Sequence, residues 1–120
     1  MNERPPGSFA LAEEALGPGS VALVASGELD AATASQLRDG LNAAVDAGVK
    51  RLVIDLSDVS FIDSVSVATI VSARRRLADA GRLAVVVKDP YVLLIFQAGG
   101  LEDVLHVVQA REDADAHAAS

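Results

Sequence analysis

The residues best placed to do chemistry lie in one short stretch, Asp63-Ser64-Val65-Ser66, where Ser60-Phe61-Ile62 gives way to an apolar, helix-like segment. A carboxylate at such a junction caps a helix by accepting from the backbone N–H of residue 65 or 66. A serine hydroxyl in the first turn projects toward solvent, where an attached phosphate would meet free N–H donors and the positive end of the helix dipole. Capping by Asp63 and modification of a hydroxyl are compatible roles. Asp30 is a second cap candidate, beside Thr33 followed by Gln36, which fits a capping box.

Other reactive side chains do not assemble into a catalytic pattern. A hydrolase of the G-x-S-x-G type needs glycines around its serine, and Ser64 is flanked by Asp63 and Val65. His106 falls in an expected strand, where a lone histidine reads as a packed side chain. Neither G-x-G-x-x-G nor a P-loop occurs, so Gly17-Pro18-Gly19-Ser20 reads as a turn and Gly99-Gly100 as a helix stop. Asp55 and Lys88, at the ends of successive strands, resemble the pair of a response-regulator receiver domain. That chemistry also needs an acidic pair to hold magnesium, and Glu13-Glu14 and Glu28 fall at the wrong strand ends. Asp55 is expected to be a hydrogen-bonded carboxylate near a strand end. With no cysteine, and with His106 and His117 far apart along the chain, no metal and no cofactor is expected.

The chain's 120 residues, 51% apolar, supply enough material for one buried core. Aromatics are limited to three Phe and one Tyr, so that core must be built from Val, Leu, Ile and Ala, a mixture suited to helices layered on a sheet. A net charge of −7 opposes binding to a phosphate backbone, and no direct nucleic-acid partner is expected. The start, MNERPPGSFA, places acidic and Pro residues where a signal peptide needs a basic start and an apolar core. No apolar run reaches the ~18 residues of a membrane span. A cytoplasmic location without membrane insertion is expected.

Residues 1–7 read as a flexible N-terminal arm, and residues 8–110 as one folded unit. The segments SFALAEEA and SVALVASG, separated by the Gly17–Gly19 turn, predict a hairpin ended by Gly27. Leu37, Leu41, Ala44 and Val45 predict a helix that starts near Thr33 and stops at Gly48. RLVIDLSD (51–58) reads as a central strand, SDVSFID as a loop, and Ser64–Asp79 as a helix with three arginines in its C-terminal half. GRLAVVVKD is a further strand, PYVLLIFQAGG a helix opened by Pro90, and EDVLHVVQ a last strand. Residues 111–120 form a polar tail or a short C-terminal helix. Alternating strands and helices require crossover connections, which predicts an α/β fold with a mixed, mostly parallel sheet of four to five strands and helices packed on it.

Three stretches in order, GELDAATASQL (27–37), LVIDLSDVSFIDS (52–64) and QAGGLEDVLHV (97–107), resemble a STAS domain, and specifically the bacterial anti-sigma factor antagonists. The resemblance covers residues 8–110. It implies a binding module rather than an enzyme, whose unphosphorylated form sequesters an anti-sigma factor and so frees a sigma factor. It also implies that the anti-sigma factor is a serine kinase acting on the Ser that follows the Asp at the start of the second helix, here Ser64, and that a metal-dependent serine phosphatase reverses the step. Asp30, Asp63, Ser64, Val65 and Ser66 would then contribute to the partner surface. Phosphorylation adds about −1.5 to −2 charge beside Asp63. Against one partner carboxylate ~8 Å away, at an effective dielectric of ~40, the repulsion is about 2 kcal/mol, more than tenfold in affinity.

The sequence departs from the family at this point. The usual D-S-S-G-L is here Asp63-Ser64-Val65-Ser66-Val67, and the missing glycine leaves three outcomes open: hindered phosphorylation, Ser66 as a second acceptor, or regulation of another kind. The alternative reading is a STAS scaffold or accessory subunit of a stress-signalling or lipid-transport assembly, without phosphorylation.

Overall fold

The computed structural model describes residues 8–119. Its central strands β2 (Ser20–Leu29), β3 (Arg51–Ile62) and β4 (Arg82–Val86) are apolar on both faces, and both faces are covered. Leu52, Ile54 and Leu56 enter one core with Leu23, Leu83 and Val85, while the interleaved Val53 joins Ala22, Ala84 and Val86 in another. This is the period of two expected of a strand buried on both sides. Helices α1 (Ala34–Asp46), α2 (Ser64–Leu77) and α3 (Pro90–Ala98) cover the first core with Leu37, Leu41, Ile70, Leu77, Val92 and Phe96. A fourth helix, α4 (Arg111–Ala119), closes the second with Ala114. Phe96 is fully buried and ties α3 to the sheet; its truncation to Ala costs about 3 to 5 kcal/mol.

The strand order follows the chain, β1-β2-β3-β4-β5, with β1 (Ala10–Gly17) and the two-residue β5 (Val107–Val108) at the edges. The hairpin β1-β2 is antiparallel, and every other pair is parallel. Three right-handed crossovers that advance in one direction across a sheet place their helices on the same face, which is why α1, α2 and α3 share a core.

Several boundaries differ from the sequence expectation. Residues 59–62 extend β3 rather than forming a loop, because they pair with the end of β2 through two shifts of register. Gly27 does not end β2: its φ of +98° lets the strand bend where the chain crosses at Ser8, whose carbonyl oxygen would lie 1.8 Å from a Cβ at this position. Gly48 does stop α1, with the Gly48 and Val49 N–H groups bonded back to Val45 and Ala44. Only Val107 and Val108 of the expected last strand pair with β4; residues 102–106 form tight turns. Residues 111–119 are a helix docked on the sheet. The arm expected at 1–7 lies outside the described residues.

Candidate partner-binding site

Leu29 and Ile62 are register partners at the ends of β2 and β3, and the Asp63 N–H donates to the Leu29 carbonyl at 3.0 Å. Asp30 and Asp63 therefore leave neighbouring strands, which lie about 4.8 Å apart, side by side. Asp63 has an extended backbone and its Oδ1 accepts from the Ser66 N–H at 2.9 Å, capping α2 as the sequence suggests. Asp30, not Thr33, organises the entry to α1. Its Oδ1 accepts from the N–H groups of Ala32 and Thr33 at 3.0 and 3.1 Å, whereas Thr33 makes no side-chain cap. The Thr33 hydroxyl turns back instead, donating to the Glu28 carbonyl at 2.9 Å and accepting from the Asp30 N–H at 3.0 Å.

Ser64 is the first residue of α2 and is exposed, as is Val65 at 52%. Ser66 is not. It is 0% exposed, and its hydroxyl has no hydrogen-bond partner. As second acceptor or partner contact Ser66 is therefore a correction: the helix turns its side chain into the core. The sequence carried the signal, since Ile70, Ala73 and Leu77 are buried at helical spacing and that stripe extends back to 66.

Ser64 sits on a ridge between two hollows. One, of about 490 Å³, lies between α1 and α2 and is lined by Leu41, Val65 and Ala68 among others. The second, of about 690 Å³, lies between α2 and α3 and includes Phe61, Val67, Val71, Tyr91 and Ile95. The Phe61 and Tyr91 rings stack at 6.2 Å and join the end of β3 to the start of α3. Tyr91 and Leu94 remain exposed, at 49% and 57%. These α3 residues were not among the expected site residues. The signal for them is that Tyr91–Phe96 is apolar all round, more than one face needs to meet a sheet.

Asp55 and the histidines lie elsewhere. The Asp55 side chain shares the α4 face of the sheet, accepts from the Ser57 N–H and hydroxyl at 2.9 and 2.5 Å, and meets Arg111 at 3.0 Å rather than Lys88. Burial alone would raise its pKa. The Ser57 bonds and the Arg111 guanidinium outweigh that and hold it below the usual carboxylate value. His106 and His117, distant in sequence, are brought together with rings stacked at 3.5 Å. Among the described residues no group of three or more His, Cys, Asp or Glu could hold a metal ion.

The family model of the STAS domain matches residues 13–114. The chain belongs to the STAS domain family. A Bordetella bronchiseptica protein, BtrV, named as an anti-sigma factor antagonist, is 31% identical to this STAS domain over 91 residues, covering 75% of this chain and 78% of its own. The crystal structure of an anti-sigma factor antagonist from Mycobacterium paratuberculosis superposes with a TM-score of 0.89 at 27% identity, covering 97% of this chain and 98% of that one. SpoIIAA, an anti-sigma factor antagonist and Bacillus cell fate determinant, is similar in both recorded states. Its unphosphorylated form gives a TM-score of 0.72 at 27% identity over 88% of this chain and 93% of its own. Its phosphorylated form gives 0.66 at 26% identity over 89% and 97%. No helix among the described residues of this STAS domain is long and apolar enough to cross a membrane.

Proposed function

We propose that this STAS domain is an anti-sigma factor antagonist, a binding module that sequesters an anti-sigma factor and is switched off by phosphorylation of Ser64. The carrying observation is the exposed Ser64 hydroxyl at the head of α2, between the Asp63 cap and exposed Val65, with apolar hollows on both sides. The hollows supply area for a docked protein, and Asp30 and Asp63 make added negative charge costly to a partner that brings its own carboxylate. The partner is a serine kinase that transfers the γ-phosphoryl group of ATP to the Ser64 oxygen, and a metal-dependent phosphatase restores the alcohol. Both act in the cytoplasm. Incubation with the anti-sigma factor and ATP should add one phosphate by intact mass, and Ser64→Ala should abolish it while retaining partner binding. A gain that survives Ser64→Ala would remove Ser64 from this role.

A second reading, a STAS scaffold without phosphorylation, is favoured by Ser66 standing where the family pattern has glycine. Affinity purification that recovers transporter subunits and no kinase would select it.

A further inference from the structure

Helix α2 packs along α1 far more closely than along α3, and the gap left between α2 and α3 is the hollow of about 690 Å³. Its walls are two facing stripes. Val67, Val71 and Arg75 recur at helical spacing on α2, and Tyr91, Ile95 and Gly99 do so on α3. Val67, Val71, Ile95 and Leu101 are half-buried, packed on the core below and open to the hollow above. Small-molecule sites have this character: about 300–1,000 Å³, mostly apolar, with a few placed polar groups.

The hollow carries opposite charges at its two ends. Among the described residues that line it, Asp63 is the one carboxylate and Arg75 the one cation. Helix α2 runs between them and holds them ~18 Å apart at ~1.5 Å rise per residue, too far to pair with each other. Asp63 is committed to the Ser66 N–H. Arg75 is exposed, and among the described residues no hydrogen bond or ion pair engages its guanidinium. Its neighbours are both occupied, Arg74 by the carbonyls of Ala78 and Gly81, and Arg76 by Asn42 and Asp46. The wall between the charged ends is apolar, and its length has a familiar match. A bilayer's hydrocarbon core is ~30 Å thick for two opposed acyl chains, so one such chain reaches ~15 Å.

We propose that the α2–α3 hollow binds a free, single-chain aliphatic carboxylate, its headgroup paired with Arg75 and its hydrocarbon laid along Val71, Val67 and Ile95 toward Phe61. The guanidinium gives the carboxylate a charge-assisted, fork-shaped partner, and Asp63 at the far end repels the same headgroup, so the chain has one preferred direction. Each methylene taken from water onto these side chains tightens binding, by up to about fourfold when fully covered. The ligand is the free molecule rather than a lipid surface, because a net charge of −7 opposes an anionic bilayer. The proposal does not depend on Ser64 or on any protein partner, although a seated chain competes with a protein docked over the same hollow.

Titration calorimetry of the intact protein with octanoate, decanoate and dodecanoate, each below its micellar concentration, tests it. Saturable binding of one equivalent is expected, tightening about tenfold with each added pair of methylenes. Arg75→Gln, at an exposed position, should weaken dodecanoate about fivefold and leave dodecyltrimethylammonium no weaker. Lys88→Gln, exposed and outside the hollow, makes the same change in net charge and should alter neither. Amide shifts on adding dodecanoate should centre on Val67, Val71, Arg75 and Ile95, and phosphatidylglycerol vesicles should not cosediment the protein. The proposal is overturned by an absence of saturable binding, by indifference to chain length, or by an equal loss of both headgroups in Arg75→Gln. Equal weakening by Lys88→Gln, shifts centred on the α1–α2 hollow, or cosedimentation with the vesicles would overturn it as well.

Discussion

Asp55 and Arg111 are 56 residues apart in sequence and 3.0 Å apart in space, joined across the face of the sheet that α4 covers. Arg111 also reaches Glu14 on β1 at 3.0 Å and Asp115 one turn along α4 at 2.9 Å, so one guanidinium ties an edge strand, a central strand and the last helix together. Removing it leaves the nearly buried Asp55 carboxylate without its cation. Arg111→Ala should cost about 2 kcal/mol, lowering the thermal midpoint by roughly 8 °C. The double variant with Asp55→Ala should recover much of the loss, since the stranded charge is then gone too; calorimetric melts of the four proteins check this.

Acid should destabilise the protein in two steps. Asp55 has a folded pKa below its usual value, so as pH falls the unfolded chain takes up the proton first. Its contribution is complete above about pH 4 and is lost as pH drops through the lowered folded value. His117 is a base with a lowered folded pKa. Its contribution is complete above about pH 6.5 and declines as pH falls toward that lowered value. Asp55→Asn should flatten the lower limb of a stability-against-pH curve, and His117→Gln the upper one.

Ser66 contributes a buried hydroxyl with no partner. Ser66→Ala removes it without opening a large cavity and should stabilise the fold by about 1 kcal/mol. A higher urea midpoint at unchanged slope is the expected readout. A loss of stability would mean that the hydroxyl is bonded in solution.

Asp63 holds the first turn of α2 through the Ser66 N–H. Asp63→Ala should cost about 1 kcal/mol, and Asp63→Asn, which retains an acceptor, much less. Hydrogen exchange should show the loss concentrated at residues 64–67 rather than spread through the sheet.

Leu94 is exposed on α3, next in the chain to Ile95, which lines the α2–α3 hollow. If that face takes the anti-sigma factor, Leu94→Lys should weaken association about tenfold or more with a melting midpoint unchanged. Unaltered affinity would move the contact to the α1–α2 side.

The order of elements was legible because Val- and Ile-rich runs alternate with helical spacing, and Gly48 and Gly99-Gly100 mark helix ends. What escaped the sequence has physical reasons. Residues 59–62 continue β3 through shifts of register against β2, and a shifted register breaks the alternation that identifies a strand. A short helix at 111–120 was one of two readings left open, and its docking on the sheet was not legible because Ala114 is too small a side chain to announce an apolar face in a run of Glu, Asp and Ala. The capping box at Thr33 is matched by residue type, yet the Thr33 hydroxyl is engaged by the Glu28 carbonyl and the Asp30 N–H instead. At the proposed site, the Asp63 cap and the exposure of Ser64 were readable from local chemistry. Tyr91 and Leu94 were not, because only the crossover from β4 brings α3 beside α2.

The two margins of the sheet are unequal. β5 offers only two residues, whereas β1 offers eight, with Glu13 and Glu14 exposed at its centre. A second molecule aligning head-to-tail along β1 would bring glutamates against glutamates, and its arrival would compete with the Arg111 contact that already engages Glu14. Edge-to-edge association through this rim is thereby disfavoured, and the opposite, helical face of the sheet plays no part in it.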